Sequence, residues 1–247
     1  MVGGGEGAFI GAVHRIAAAI DGEWRMTAGA FSTDAGRNAR TGEALGLDPQ
    51  RVYGTFQQLV ERERVLPPEE RVDAIAIVTP NHLHAPVAIA ALDAGFHVLC
   101  EKPMAMSVAE AEAIERSVKA SGRLFALAFT YSAYPLVEEA RIRVARGDFG
   151  AIRLVQAEYL QGWLSRPIDR DGQKQAEWRT DPARAGIGGC LGDIGTHAFQ
   201  LAEHVSGLRA QAVCAELTTH VPGRLLDDDV SALLRFEGGA RGVLKAS

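Results

Sequence analysis

Ala74-Ile75-Ala76-Ile77-Val78-Thr79-Pro80-Asn81 and His97-Val98-Leu99-Cys100-Glu101-Lys102-Pro103 decide the fold, with the helical pattern Pro86 to Ala94 between them. The first run is continuously apolar and of strand length, as in a parallel strand covered on both faces. Thr79-Pro80-Asn81 breaks that strand. Gly95 stops the helix, and the second strand leads straight into Glu101-Lys102-Pro103. Strand, helix and strand joined by short turns are a βα unit of a parallel sheet.

Outward from this unit the alternation continues. Val13 to Ile20 predicts a helix ended near Asp21-Gly22, and Met26 to Phe31 a short buried strand. Ser32-Thr33-Asp34 offers a helix cap, followed by helices over Arg37 to Leu45 and Phe56 to Glu63. Ser107-Val108-Ala109-Glu110 matches a capping box opening a helix to about Ala120, and Leu124 to Phe129 is a further strand. Residues 1–130 are therefore expected to form a doubly wound Rossmann domain. Ligands of such sheets bind at the carboxyl ends of the strands. Gly3-Gly4-Gly5-Glu6-Gly7-Ala8, Thr79-Pro80-Asn81 and Glu101-Lys102-Pro103 all fall there.

After Tyr131 the pattern changes. A helix over Val137 to Arg146 and a strand over Ile152 to Leu160 precede a long polar connection, Gln161 to Gly189. A helix over Asp193 to Val205 follows, then strands at Ala212 to Thr219, Val230 to Phe236 and Ala240 to Ala246. Consecutive strands without helices predict an α+β domain over 131–247 with an open, mainly antiparallel sheet. Only Met1-Val2 precedes the glycines and the last strand pattern stops at Ser247, so a truncated chain is expected.

The 247 residues, 47% hydrophobic and 23% charged, suffice for one or two globular domains. A net charge of -5 carries no basic footprint for nucleic acid. No apolar run approaches the roughly 20 residues of a membrane span, and the start lacks a signal-peptide pattern. Three widely spaced cysteines argue for a reducing, cytoplasmic setting and against a disulfide framework or a zinc site.

Gly3-x-Gly5-x-x-Ala8 fits the dinucleotide fingerprint: a tight turn, a close backbone approach to pyrophosphate and close packing of helix on strand. At the end of the second strand, Ser32 and Arg37 suit a 2′-phosphate, whereas Asp34 suits a ribose diol. Both NAD and NADP stay open, as does helix capping by Ser32 or Asp34. Lys102, beside Pro103 at a buried strand end, suits a cation that holds a substrate hydroxyl and lowers its pKa. A structural ion pair is the alternative. Asp193 and His197 stand four residues apart on one helix face at its first turn, a carboxylate with a proton acceptor. An N-cap and a core histidine are the alternatives. His82 and His84 read as cofactor-pocket or capping residues, and no metal is expected.

The motifs Gly3 to Gly11, Thr79-Pro80-Asn81-His82-Leu83-His84, Glu101-Lys102-Pro103 and Gly188-Gly189-Cys190-Leu191-Gly192-Asp193-Ile194-Gly195-Thr196-His197 resemble those of the Gfo/Idh/MocA oxidoreductases. The resemblance covers essentially the whole chain. It implies NAD(P)-dependent hydride transfer at a secondary alcohol of a sugar, cyclitol or related polyol. Lys102, Asp193 and His197 would form the catalytic group, with His197 accepting the hydroxyl proton. Gly3, Gly5, Ala8, Phe9, Ile10, Ser32, Arg37, Thr79, Pro80, Asn81, His84, Glu101 and Lys102 would line the cofactor site. Trp178 and Arg179 resemble a pair that approaches the cofactor in some members. The second sheet implies a homo-oligomer, dimer or tetramer. Two alternatives remain on this fold: glycoside cleavage through transient oxidation, and a non-catalytic dinucleotide sensor. The acidic residue common after the second strand in NAD-specific members is Ser32 here.

Overall fold

The computed structural model describes residues 1–247, which divide into two units, Met1–Ala128 and Phe129–Ser247. In the first, β1 (Val2–Gly3), β2 (Ala74–Val78), β3 (His97–Cys100) and β4 (Phe125–Leu127) lie side by side in that order, all parallel. On the other side of β1, Val2 bridges Ala30, and Gly29 in turn bridges Val52, both parallel. The chain thus winds outward from β1 in both directions, which makes the end of β1 the switch point of a doubly wound sheet. Met26 to Phe31 does not form the expected strand. It contributes only these bridges, because a ladder is no longer than its shorter partner, and β1 has two residues.

Five helices cover the sheet: α1 (Phe9–Ala19), α2 (Ala35–Ala44), α3 (Phe56–Glu63), α4 (His84–Asp93) and α5 (Val108–Ser121). Their starts follow from side-chain caps. Asp34 accepts from the Arg37 N–H, Thr55 from Gln58 and Ser107 from Glu110. The Glu110 carboxylate reaches back to the Met106 N–H, one residue before the cap. The core joins Ile75, Ile77 and Val98 of the sheet to Val87 and Leu92 of α4 and Ile114 of α5. Each such buried side chain contributes about 1.5–3 kcal/mol. One carboxylate lies inside this unit: Glu63 accepts from Arg51 Nε and Nη2, Tyr53 Oη and the Val72 N–H. Burial and this carboxylate push the Tyr53 hydroxyl up to about 12.

In the second unit, α6 (Pro135–Ala145), β5 (Leu154–Tyr159), α7 (Lys174–Arg179), α8 (Pro182–Ala185) and α9 (Thr196–Ser206) precede β6 (Ala210–Thr218), β7 (Asp229–Phe236) and β8 (Arg241–Ala246). The sheet order is β5-β8-β7-β6, with β5 parallel to β8 and the other pairs antiparallel. Along β7, Val230, Ala232, Leu234 and Phe236 are buried while Ser231, Leu233 and Arg235 are exposed, the two-residue period of a sheet with one covered face. The covered face packs on Ile194 and Ala198. No helix of the chain is long and apolar enough to cross a membrane.

Candidate active site

The glycine turn closes around backbone. A Cβ on Gly11 would lie 2.5 Å from Gly4 Cα, and one on Gly5 would lie 2.9 Å from the Phe31 carbonyl oxygen. Only glycine lets α1, the turn and the segment at Phe31 approach this closely. The close helix contact expected at Ala8 is thus made by Gly11. Ala8 caps α1 without a side-chain bond, and the first turn carries no acidic residue. The positive end of that helix is therefore not cancelled locally. Phe9 is 69% exposed in this first turn, with Ile10 half-buried behind it. Gly3 and Thr79 meet here too: a Cβ on Gly3 would lie 3.0 Å from Thr79 Cγ2. The Thr79 hydroxyl is buried with no hydrogen-bond partner. A glycine cradle, an open helix N-terminus and an unpaired hydroxyl together fit a dinucleotide.

After the bridged segment that ends at Phe31, Asp34 caps α2, accepting from the Arg37 N–H at 2.6 Å. The Ser32 hydroxyl accepts from the Asp34 N–H. Asn38, which sequence reasoning missed, is buried and accepts from the N–H groups of Phe31 and Ser32, so it sets the shape of this corner.

Beyond β2, Pro80 is half-buried and Asn81 buried. His84 is fully buried, with Nδ1 at 2.6 Å from the Pro103 carbonyl and Nε2 at 3.0 Å from the Thr79 carbonyl. Its ring ties two strand-end loops together. Burial holds its pKa below the ordinary value against the pull of the two carbonyls. Glu101 is likewise engaged within the protein. Its Oε1 lies 2.7 Å from His14 Nε2, and its Oε2 accepts from the Lys102 N–H. The Lys102–Pro103 peptide is cis.

In the second unit, Asp193 is not the N-cap that its position suggests. Leu191–Gly195 form a turn of π-helical winding that runs into α9, so the helix begins upstream and the Asp193 N–H already donates to the Gly189 carbonyl. The Asp193 carboxylate accepts from Arg179 Nε at 3.1 Å. Arg179 lies over the rings of Trp178 and Trp163, at 4.2 and 5.7 Å from their centroids. Within this unit Arg179 thus serves Asp193, a role that the sequence-level reading did not give it. His197 is 8% exposed and sits among Phe129, Tyr131 and Tyr159, with Tyr131 closest at 4.7 Å between centroids. Beside it the hydroxyls of Tyr131 and Tyr159 share a 2.6 Å hydrogen bond that continues through Gln161 to Trp163. Burial first, then the Tyr159 contact, pushes the Tyr131 hydroxyl above its usual range.

The turn before Asp193 depends on Asp227. That carboxylate accepts from the N–H groups of Gly189 and Leu191 and from the Cys190 thiol. Burial and this carboxylate push the Cys190 thiol well up. The only local signal for Asp227 is a run of three aspartates before a strand, which reads as solvated charge. A pocket of ≈ 230 Å³ adjoins this turn, lined by Gln161, Trp163, Ser165, Arg179 and Asp193 among others. No group of three His, Cys, Asp or Glu side chains is placed to hold a metal ion.

Comparison with known proteins assigns the lineage. Residues 1–129 match the oxidoreductase family with an NAD-binding Rossmann fold, Gfo/Idh/MocA, and residues 137–247 match the C-terminal domain of the same family. The chain belongs to the Gfo/Idh/MocA family. Its motifs implied as much. Among solved family structures, an inositol dehydrogenase homolog from Azotobacter vinelandii complexed with NAD+ is 37% identical with a TM-score of 0.96, covering 100% of this chain and 63% of that one. The levoglucosan dehydrogenase of Pseudarthrobacter phenanthrenivorans is 32% identical, over 85% of this chain and 57% of the relative. An uncharacterized oxidoreductase of Bacillus subtilis is 31% identical over the full chain. The chain spans 63% of the length of that Gfo/Idh/MocA relative.

Proposed function

We propose that this chain is part of an NAD-dependent dehydrogenase that oxidises a secondary alcohol of a sugar, cyclitol or related polyol. The observation that carries the reading is the cradle around the unpaired Thr79 hydroxyl, which suits a dinucleotide. Gly3, Gly5, Ala8 and the first turn of α1, Phe9 and Ile10, would hold the pyrophosphate. Thr79, Pro80 and Asn81 would flank the nicotinamide half. NAD is the dinucleotide proposed because solved structures of similar chains are complexed with NAD+ or NADH. NAD, when bound, supplies the hydride acceptor.

The remaining chemistry belongs to side chains. Lys102 donates to the reacting oxygen and stabilises its negative charge as the O–H bond breaks. His197 accepts the hydroxyl proton and returns it in the reverse direction. Asp193, held by Arg179, accepts from a neighbouring substrate hydroxyl and fixes its orientation. The pocket beside Asp193 supports a polyol: an indole face at Trp163 and hydrogen-bonding groups at Gln161, Ser165 and Arg179 match a ring with apolar faces and a hydroxylated rim. The proteins of similar structure include one complexed with NADH and myo-inositol and one with NADH and levoglucosan.

The first unit would thus bind the cofactor, and the second would bind substrate and join copies of the chain. Leu233 and Val243, cross-strand neighbours and exposed at 62% and 37%, offer an apolar patch for a dimer or tetramer. Sedimentation of the chain tests this, and a monomer at all concentrations removes it. The central reading is tested by Lys102→Met. Turnover of myo-inositol or levoglucosan should fall on the order of 10³-fold while the NADH dissociation constant changes little. Equal loss of both overturns the role of Lys102.

A further inference from the structure

Two histidines outside the proposed chemistry flank the short loop that carries Lys102. On its amino side, the Lys102 N–H donates to Glu101 Oε2 at 3.2 Å, and the other oxygen of that carboxylate lies 2.7 Å from His14 Nε2 on α1. On its carboxyl side, the carbonyl of Pro103 lies 2.6 Å from His84 Nδ1 on α4. His14 and Glu101 are largely shielded, with side chains 15% and 14% exposed, and His84 is fully buried. Each contact joins a loop atom to a helix, so the loop is anchored at both ends to two rigid elements. A neutral imidazole carries one N–H and can donate to one carbonyl only. The shorter contact of His84 is the one to Pro103, while Thr79 lies at 3.0 Å from Nε2.

We propose that His14 and His84 are positioning residues for Lys102, fixing the loop on either side of it through the Glu101 carboxylate and the Pro103 carbonyl. This rests on the reading of Lys102 as the group that meets the reacting oxygen. Neither histidine touches substrate in this proposal. A displacement of about 1 Å at a catalytic group costs on the order of 10²-fold in rate, so loosening either anchor is expected to act on turnover before it acts on cofactor affinity.

The amide side chains separate hydrogen bonding from packing. Asn at position 84 places an N–H near Nδ1, and Gln at position 14 places one near Nε2. His84→Leu and His14→Leu remove the donors and keep apolar bulk. The full chain is reductively ¹³C-methylated, and the dimethyl-lysine signal of Lys102 is assigned by its disappearance in Lys102→Arg. In both leucine variants that signal should shift and broaden, and in His84→Asn and His14→Gln it should return to the wild-type position. Turnover should follow the same order, falling on the order of 10- to 100-fold in the leucine variants and recovering to within about threefold in the amides. The NADH dissociation constant should stay within about threefold throughout. A Lys102 signal that is unmoved in the leucine variants, or moved equally in leucine and amide variants, overturns the proposal. If a leucine variant fails to fold, the amide variants decide it, since a lost or displaced signal in both, with the fold intact by thermal unfolding, also overturns it. The signal needs neither cofactor nor substrate. Failure of wild type to bind NADH would therefore remove the reading of the site while the positioning question is still answered.

Discussion

The loop carrying Lys102 and the turn carrying Asp193 differ in the kind of group that holds them: side chains of two helices for the first, one carboxylate for the second. Lys102 bonds through its N–H to the adjacent Glu101 side chain, whose other oxygen meets His14 on α1, 87 residues earlier, and His84 on α4 spans five residues to Thr79 and 19 to Pro103. Gly189 and Leu191 bond instead to Asp227, 38 and 36 residues further along the chain. The first loop follows a strand, and its contacts come from α1 and α4. The second sits on a helix start with no local cap. It takes its shape from a carboxylate delivered by a distant strand. The first site therefore depends on the helices beside its strand, and the second on the carboxylate that precedes β7.

Asp227→Ala gives the largest expected effect on that contrast. It leaves two part-buried N–H groups without their carboxylate acceptor and should destabilise the second unit by about 2 kcal/mol, read as a fall in the midpoint of thermal unfolding. Asp227→Asn, which keeps one oxygen, should lose less. Equal stability of wild type and alanine variant would mean that the turn holds itself. In the first unit the comparable test is Gly11→Ala, whose methyl group meets backbone at Gly4. It should cost about 2 kcal/mol and weaken NADH binding. Gly7→Ala, where a Cβ meets open space and only the φ of +77° resists, should cost about 1 kcal/mol. If the two alanines behave alike, close approach is not what the glycines provide.

The smallest effect concerns pH. His84 has its pKa lowered by burial, so the unfolded chain takes up its proton first as pH falls. The stability that neutral His84 contributes is fully present above about 6.5 and is lost progressively below it. Wild type should therefore lose more stability than His84→Asn between pH 7 and 5.5, as measured by denaturant unfolding. Parallel curves would show that His84 does not titrate in this range.

The strands Ala74–Val78 and His97–Cys100 and the helix Phe56–Glu63 stand where their sequence patterns put them. Their apolar runs and their breakers lie within a few residues of each other, and periodicity alone marks them. Met26 to Phe31 misled because an apolar run specifies that it is buried and not that it has a partner of matching length. The alternative reading of Asp193 as an N-cap fails for a related reason. A carboxylate before a helical pattern has the composition of an N-cap, and the extra turn that displaces it is set by Asp227. Gly11, His14 and Tyr131 went unassigned because a glycine within a helix, a histidine on a helix face and a tyrosine after a strand are each common. They gain meaning only beside Gly4, Glu101 and His197.

By itself, then, the sequence determined the alternation of strands and helices, the placing of three loops at strand ends and the family. These depend on spacing along the chain, which hydrophobic periodicity and turn residues record directly. Tertiary structure decided which side chains pair with one another within the protein. It took His84 and Glu101 into the protein, brought Arg179 to Asp193 and enclosed His197 in aromatic rings. Hydrogen-bond partners are chosen by distance in space, and a polar residue type is compatible with many of them until the chain has packed.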